Sequence, residues 1–118
     1  MSRYIVNFVL LNSDDKDYDN LEKNIKDVIN NEYIKDYMKT EDDFFSKIIK
    51  DSVEAKYYML PKSIFHIEND DINIQTIREI AYKASLKTVN EPNNINIIIS
   101  EYNCVLNAGL DTIQIESK

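Results

Sequence analysis

Three aspartates at alternate positions are the first residues whose spacing could do chemistry. Asp15, Asp17 and Asp19 are spaced like the first ligands of a calcium-binding loop. Such a loop also needs a glycine at its sixth position and a bidentate glutamate at its twelfth. This chain has Asn20 and Lys26 there. The pattern therefore predicts a solvated turn that leads into a helix, and no ion site.

The single histidine and the single cysteine are the next candidates. His66 lies in an alternating stretch, so we expect it to share a strand face with Ile64 and Glu68. Catalysis by His66 would need an oriented partner and a nucleophile, and no serine or cysteine motif lies nearby. One His and one Cys do not make a zinc site, and Cys104 is predicted to be a small buried apolar residue. Gly109 is the sole glycine and cannot by itself build a phosphate-binding loop. Taken together, these residues predict no catalytic residue, no metal and no cofactor.

The charge of the chain is negative and unevenly distributed. Twenty-one acidic residues stand against fourteen basic ones, which gives a formal charge of −7. The segment 12–55 holds thirteen of the acids and seven of the bases. Contact with a phosphate backbone needs clustered Lys and Arg, so this composition disfavours direct nucleic-acid binding. An acidic face instead suits a protein partner with a basic surface.

Hydrophobic periodicity predicts the elements that must position these residues. Residues 3–11 are apolar at both alternations, which is typical of a strand covered on both faces. Apolar residues at helical spacing predict amphipathic helices over about 16–30 and 74–84. Two more helical turns could extend the first helix to Met38, and a further helix after Thr40 would carry Phe44, Phe45, Ile48 and Ile49.

The second half of the chain changes to the period of strands. Residues 57–60 and 64–67 flank Pro61, which predicts a hairpin, and 95–100 predicts another strand. A last hairpin is predicted over 103–116. The order predicts one α+β domain over residues 1–118, a ferredoxin-like βαββαβ antiparallel sheet with helices on one face. It would carry a helical insertion at about 31–55 and a C-terminal β-hairpin, with the strands that begin at Arg3 and Ile95 at its centre.

Two stretches resemble a known family. The run from Tyr4 to Asn12 (YIVNFVLLN), followed by Asp17 to Lys26 (DYDNLEKNIK), resembles the opening of SinR-like proteins, small ferredoxin-like relatives of the CRISPR adaptation endonuclease. The later TIREI stretch at 76–80, before an Ile-rich strand, falls in the corresponding order. The resemblance covers about 60 to 70 of the 118 residues. It implies the fold and dimerisation through C-terminal strands.

The same resemblance does not carry over a nuclease site. In the endonuclease family an aspartate near the end of the first strand is implicated in holding a metal. That position falls at Val9 here, and its neighbours Phe8 and Leu10 cannot ligate a cation either. We therefore keep a metal-dependent, nuclease-like nucleic-acid module only as the third hypothesis for function.

The leading hypothesis is a small acidic interaction protein without enzymatic activity. A phage or mobile-element inhibitor of a nucleic-acid-handling or defence machine fits the size, the charge and the lack of motifs. The acidic helical face would be Glu41, Asp42 and Asp43, with the aromatic contacts Tyr33 and Tyr37 beside it. The partner would present a basic surface to this face.

The alternative hypothesis is a small protein that binds or sequesters a nucleotide ligand at an oligomer cleft. Its candidate residues are Tyr82, for stacking, and the bases Arg78, Lys83 and Lys87. The predicted C-terminal hairpin could cover a neighbour's sheet edge and so make a homodimer. No apolar run is long enough for a membrane span and no signal peptide opens the chain, so we expect a cytoplasmic location.

Overall fold

The computed structural model of the chain describes residues 2–33, 45–106 and 108–113. Its elements are, in chain order, β1 (Arg3–Leu10), α1 (Asp15–Glu32), β2 (Ile48–Lys50), β3 (Tyr57–Met59), β4 (Ile64–Glu68), α2 (Ile74–Val89), β5 (Ile95–Glu101) and β6 (Thr112–Ile113). A 3-10 turn, Pro92–Asn94, leads into β5. The described residues form an α+β fold with two α-helices and antiparallel sheets, which agrees with the predicted fold class.

Strand β1 is the centre of the main sheet, whose order is β4-β1-β5. Both neighbours run antiparallel to it, so that Ile5 lies opposite His66 of β4 and Ser100 of β5. The sequence predicts β5 at the centre as well, and this is wrong. Among the described residues β5 pairs only with β1, and the C-terminal strand β6 pairs with β3 instead.

The alternation of β1 decides which face of the main sheet is buried. Its even-numbered side chains, from Tyr4 to Leu10, pack with both helices in one cluster. Phe8 of β1 and Phe65 of β4 meet edge to face in this cluster, with ring centroids 5.5 Å apart. The helices supply fully buried residues at helical spacing: Leu21, Ile25, Val28, Ile29, Ile77 and Ile80. Burying a side chain of this size contributes roughly 1.5–3 kcal/mol, so this cluster is the main source of stability.

Helix α1 begins with a capping box, as its acidic turn residues predict. The Asp14 carboxylate accepts the N–H of Asp17, and the Asp17 carboxylate accepts the N–H of Asp14, both at 3.1 Å. One residue further on, the Tyr18 hydroxyl accepts the N–H of Leu10 at 3.1 Å and joins the helix to the end of β1. The predicted turn and helix start are therefore confirmed.

Backbone hydrogen bonds attach a second sheet, of order β2-β3-β6, at two places, to strand β4 and to the segment after β5. Ahead of β2, Ser46 and His66 of β4 exchange two backbone hydrogen bonds of 2.8 Å. Behind β2, the Ser52 N–H donates to the Val105 C=O at 2.9 Å, and the Val105 N–H donates to Ser52 Oγ at 2.8 Å. The second sheet is thus tied to β4 and to the segment that follows β5.

A smaller apolar cluster lies between the two sheets. Its buried members are Ile49, Tyr58 and Leu60, and Ile5 and Ile64 of the main sheet pack against it. The second sheet therefore covers part of the main-sheet face that points away from the helices. Predicted burial of β1 on both faces is met only in part at Ile5, which is half-buried, and fails at Val9, whose surface is 42% exposed.

The predicted helical insertion over 31–55 is wrong for the described residues that follow α1. Helix α1 ends at Glu32, and residues 34–44, which include the predicted extension to Met38, lie outside the described residues. The predicted helix through Ile48 and Ile49 is instead strand β2. Both residues are β-branched, and Ile49 is buried in the second cluster, which favours extended backbone.

The predicted hairpin across Pro61 is also wrong. Strand β3 pairs with β2 and β6, not with β4. The ammonium of Lys47 donates to the carbonyls of Pro61 and Ile64, and the Leu60 N–H donates to the Lys47 C=O at 2.8 Å. These bonds hold the loop between β3 and β4 against the residues ahead of β2.

The predicted C-terminal hairpin does not form in the described residues. Residues 104–106 belong to no strand, and β6 pairs with β3 rather than with that segment. The hydrogen bonds between Val105 and Ser52 satisfy the backbone there instead. The outer part of this prediction, 114–116, lies outside the described residues.

Candidate functional site

Two concave surfaces stand out among the described residues. The edge groove lies between α2 and β5 and has a volume of about 480 Å³. The inter-sheet cleft lies between the main sheet and the second sheet and has a volume of about 420 Å³. Both volumes fall within the roughly 300–1,000 Å³ typical of small-ligand pockets.

The edge groove contains two of the residues predicted to bind a ligand. It is lined by Arg78, Glu79 and Tyr82 of α2 and by Ile95 and Ile97 of β5. Arg78 and Tyr82 are four residues apart and therefore share one face of the helix. The Tyr82 side chain is 42% exposed, so a surface for stacking is available.

The other two predicted ligand residues do not line this groove. Lys83 donates to the Glu32 carboxylate at 3.1 Å and to the Tyr33 hydroxyl at 3.4 Å. The hydrogen bond to Glu32, then the one to Tyr33, raises the pKa of Lys83. Lys83 therefore joins α2 to the end of α1, and Lys87 is exposed in the last turn of α2.

The residues predicted to contact a protein partner are only partly described. Tyr33 is buried in the main core, and its hydroxyl donates to the Glu79 carboxylate at 3.2 Å. Burial raises the pKa of Tyr33. Outside the described residues lie Tyr37, Glu41, Asp42 and Asp43.

The outer edge of β5 adjoins the edge groove. Two hydrogen bonds, from the Leu11 N–H to the Asn94 C=O at 2.8 Å and from the Tyr102 N–H to the Arg3 C=O at 3.0 Å, fix the pairing pattern with β1. Along an antiparallel pair, backbone groups point alternately toward and away from the partner strand. The residues whose N–H and C=O point away from β1 are therefore Ile95, Ile97, Ile99 and Glu101, and no described strand pairs with them.

The side chains near this edge are apolar and surrounded by acids. Ile98, on the face away from the helices, is 61% exposed. Glu79 lines the groove, and Glu91 and Glu101 are exposed near the two ends of β5. Strand β5 contains no lysine or proline, the residues that commonly protect an edge strand from pairing with another chain. An apolar strand edge of this kind is suited to binding a further strand.

The inter-sheet cleft is polar and brings together residues that are distant in sequence. Its lining includes Arg3 of β1, Lys50 of β2, His66 and Glu68 of β4, and Tyr102 after β5. The predicted shared face of His66 with Ile64 and Glu68 is confirmed, because Ile64 packs in the second cluster and Glu68 lines the cleft.

His66 and Tyr102 form the centre of this cleft. The His66 Nε2 and the Tyr102 hydroxyl share a hydrogen bond. Burial lowers the pKa of His66 and outweighs the nearby Glu68 carboxylate, which raises it, while Arg3 lowers it further. Burial also raises the pKa of Tyr102. Both rings are therefore uncharged at neutral pH.

The alternating aspartates do not converge on a common point. Asp17 belongs to the helix cap, and Asp19 forms an ion pair with Lys62 at 3.0 Å. Within residues 2–33, 45–106 and 108–113, no three His, Cys, Asp or Glu side chains are grouped so as to hold a metal ion.

The prediction that Cys104 is buried is wrong. Cys104 is an exposed free thiol rather than a buried residue, because the chain after β5 is irregular there and forms no strand. In the described part of the chain, neither helix combines the length and the apolar character needed to cross a lipid bilayer.

Sequence reasoning missed most of the inter-sheet cleft. Arg3 and Tyr102 stand at the start of β1 and just after β5, so antiparallel pairing of these two strands could have brought them together. Lys50 could not be found this way, because its place depends on the short second sheet. The open edge of β5 was visible only as an Ile-rich run with no charge before Glu101.

Comparison with known proteins identifies no relative. No protein-family model matches the chain, and no match is found among curated proteins or among solved structures. The resemblance to SinR-like proteins therefore stays a prediction, and the two candidate sites depend on their geometry.

Proposed function

We propose that the protein is a small non-enzymatic interaction protein that binds an extended segment of a basic protein partner as an added strand along β5. The observation that carries this proposal is the outer edge of β5, where the backbone groups of alternate residues from Ile95 to Glu101 point away from the sheet. Hydrogen bonds to such an edge give affinity without a deep pocket.

The side chains beside the edge define what the added strand must carry. On the helix side, the edge groove accepts an apolar side chain between Tyr82 and Ile97. On the opposite side, Ile98 offers an exposed apolar contact. Successive side chains of a strand point to opposite faces. The bound segment therefore needs an apolar residue on the face that meets the edge groove and another on the face that meets Ile98.

The charge around the edge supports a basic partner. Glu79, Glu91 and Glu101 surround it against Arg78, and the whole chain carries −7. Lys or Arg residues flanking the apolar segment would therefore speed association, more so at low salt. A nucleic-acid-handling or defence machine has basic surfaces of this kind, which is consistent with an inhibitor of phage or mobile-element origin.

The acidic triplet Glu41, Asp42 and Asp43 would add to the same attraction. The finer fold assignment, a ferredoxin-like βαββαβ arrangement, is part of this proposal. It is supported by the order β4-β1-β5 and by the bridge from Ser46 to His66, which continues the sheet beyond β4. Strands β3 and β6 would then be additions to that arrangement.

The test uses one variant at the edge and one matched control. Ile98→Lys places a positive charge on the exposed edge, and Val53→Lys places it on another exposed apolar side chain, 74% exposed, in the turn after β2. Tagged chains are used to capture partners from nuclease-treated lysate of the native host. We expect at least one protein to be captured by wild type and by Val53→Lys but not by Ile98→Lys. With that protein purified, amide exchange at Ile97 and Ile99 should slow on binding, while exchange at inward-facing residues stays slow throughout.

Two results would contradict strand addition. Equal capture by Ile98→Lys would remove the β5 edge from the interface, and unchanged exchange at the outward-facing amides would exclude a bound strand. Slow exchange of those amides in the free protein, with a dimer mass in light scattering, would instead assign the edge to a second copy. That outcome would give a homodimer through β5, whereas the sequence predicts one through the hairpin over 103–116.

Nucleotide binding remains the second candidate for one reason. Arg78 and Tyr82 line the same groove, so a base could stack on Tyr82 while a phosphate meets Arg78. The separation of Lys83 and Lys87 from the groove weakens this alternative. Thermal stabilisation by nucleoside phosphates, absent in Tyr82→Ala, would move the function to small-ligand binding.

A further inference from the structure

Two oppositely charged side chains on neighbouring strands line the inter-sheet cleft. Arg3 and Glu68 are direct cross-strand partners in the register of β1 and β4, and both line the cleft. Opposite charges in this position commonly pair. No ion pair joins these two side chains in the residues that the structure describes. The space between a guanidinium and a carboxylate therefore remains open to a ligand.

The Arg3 guanidinium is held beside this space by other contacts. Its Cζ lies 5.6 Å from the centre of the Tyr102 ring, and Nη2 donates to the Asn103 C=O at 3.2 Å. The Nε–H is buried and has no acceptor among the described residues. This N–H is closed to solvent, so the ligand contact falls to the terminal amino groups of Arg3, whose side chain lines the cleft.

The remaining charges in the cleft have unequal availability. Lys50, at the end of β2, is exposed and adds a second positive charge. Asp51 is buried, and its Oδ1 accepts the N–H groups of Val53 and Glu54 at 2.8 and 2.9 Å, so this carboxylate belongs to the turn. A ligand therefore meets two cations on one side and the exposed carboxylate of Glu68 on the other.

We propose that the inter-sheet cleft binds a small zwitterion of the free amino acid or dipeptide class. The ligand carboxylate binds Arg3 and Lys50, its ammonium group binds Glu68, and its apolar part lies against the Tyr102 ring. The volume of about 420 Å³ accommodates a ligand of this size. A phosphate dianion fits less well, since Glu68 would repel it. This site is separate from the β5 edge and does not depend on the proposed function.

The single histidine of the chain makes the test direct. The NMR signal of the His66 Hε1 proton reports on the cleft without overlap from other histidines. The probes are the proteinogenic amino acids other than histidine, and glycylglycine, each titrated to about 10 mM or to its solubility limit, with their N-acetyl and amide forms and inorganic phosphate as controls. We expect a saturable shift with at least one zwitterion and about tenfold weaker binding of the forms that lack one charge.

Two variants test which side chain binds the ammonium group of the ligand and which binds its carboxylate. Glu68→Gln should weaken the zwitterion about tenfold and should not weaken its amine-blocked form, which loses a repulsive charge. Arg3→Gln should weaken the zwitterion about tenfold and should not weaken its amide form, which has no carboxylate. Lys62→Gln, which removes an exposed lysine paired with Asp19, is the control and should leave binding unchanged. If Arg3→Gln does not fold, Glu68→Gln decides, since it alters only an exposed side chain.

Three outcomes would overturn the proposal. Equal binding of N-acetyl forms or of phosphate would make the cleft a simple anion site. Unchanged affinity in Glu68→Gln would remove the ammonium contact. The absence of a saturable shift with every zwitterion would exclude the ligand class.

Discussion

At the scale of single residues, His66 carries the most information. Its imidazole is buried between the two sheets, shares a hydrogen bond with Tyr102, and lies near both Arg3 and Glu68. Because burial disfavours the charged form, the pKa of His66 lies below its usual value of 6.5. The side chain thus behaves as a neutral polar group that orders the cleft.

This pKa predicts how stability depends on pH. Below pH 6.5 the unfolded chain binds a proton at His66 before the folded chain does, so the free energy of unfolding falls as the pH drops from about 7 toward 5. Urea unfolding at pH 7.5 and 5.5 should show a larger loss for wild type than for His66→Gln, which keeps a polar group but does not titrate. Equal losses in the two proteins would contradict the lowered pKa.

Lys47 demonstrates that a shifted pKa alone does not identify a functional site. Burial lowers the pKa of its ammonium to about 8, against the opposing influence of Glu22. The same ammonium donates to two backbone carbonyls and lies 4.2 Å from the centre of the Phe65 ring. These contacts stabilise the fold, because they hold the loop between β3 and β4 in place.

At the scale of elements, the start of α1 is defined by its own side chains. The reciprocal bonds between Asp14 and Asp17 satisfy donors that the first turn of a helix leaves unpaired. We expect Asp14→Ala to lower the free energy of unfolding by about 1 kcal/mol, measured by urea unfolding at neutral pH. Asp27→Ala, on the exposed side of the same helix, is the control and should have little effect or a slightly stabilising one. Equal effects of both changes would argue against the cap.

Elements with strong local signals were predictable, and those that depend on distant pairing were not. The apolar run of β1, the acidic start of α1 and the Ile-rich run of β5 appear in the structure close to their predicted bounds, and α2 begins at Ile74 as predicted but continues to Val89. Strands β2, β3 and β6 have two or three residues each, too few for a periodic pattern. Their partners are set by contacts such as those of Lys47, which no local pattern indicates.

The candidate sites follow the same division. Arg78 and Tyr82 share a groove because a helix brings together residues four apart, and this was predictable. Lys83 is one position further around α2 and meets α1, which required knowledge of how the helices pack. The inter-sheet cleft needed the second sheet, so of its lining only the neighbouring pair Arg3 and Tyr102 could be assembled from the sequence.

At the scale of the whole molecule, the two apolar clusters differ greatly in size. The main cluster includes both helices and the main sheet, whereas the second has Ile49, Tyr58 and Leu60 as its buried members. Local stability follows the number of buried apolar contacts. The second sheet should therefore open without unfolding of the main core.

Two substitutions test this difference. Phe8→Ala should lower the free energy of global unfolding by about 3–5 kcal/mol, because it leaves a cavity in the main cluster. Tyr58→Ala should speed amide exchange in β2 and β3 while exchange in β1 and β4 stays close to that of wild type. Hydrogen exchange measured by NMR distinguishes the two patterns. Similar acceleration in both sheets by Tyr58→Ala would indicate one cooperative unit.

The two attachments of the second sheet have a consequence for recognition. Backbone bonds between Ser46 and His66 and between Ser52 and Val105 join the walls of the cleft on both sides of β2. While the second sheet is in place, these bonds set the separation of the walls before a ligand arrives, and opening of that sheet would remove the site. Little conformational entropy is then lost on binding, so even a ligand with few contacts retains most of its interaction energy. The cleft is in this sense a preorganised receptor, whose selectivity comes from shape and charge rather than from closure.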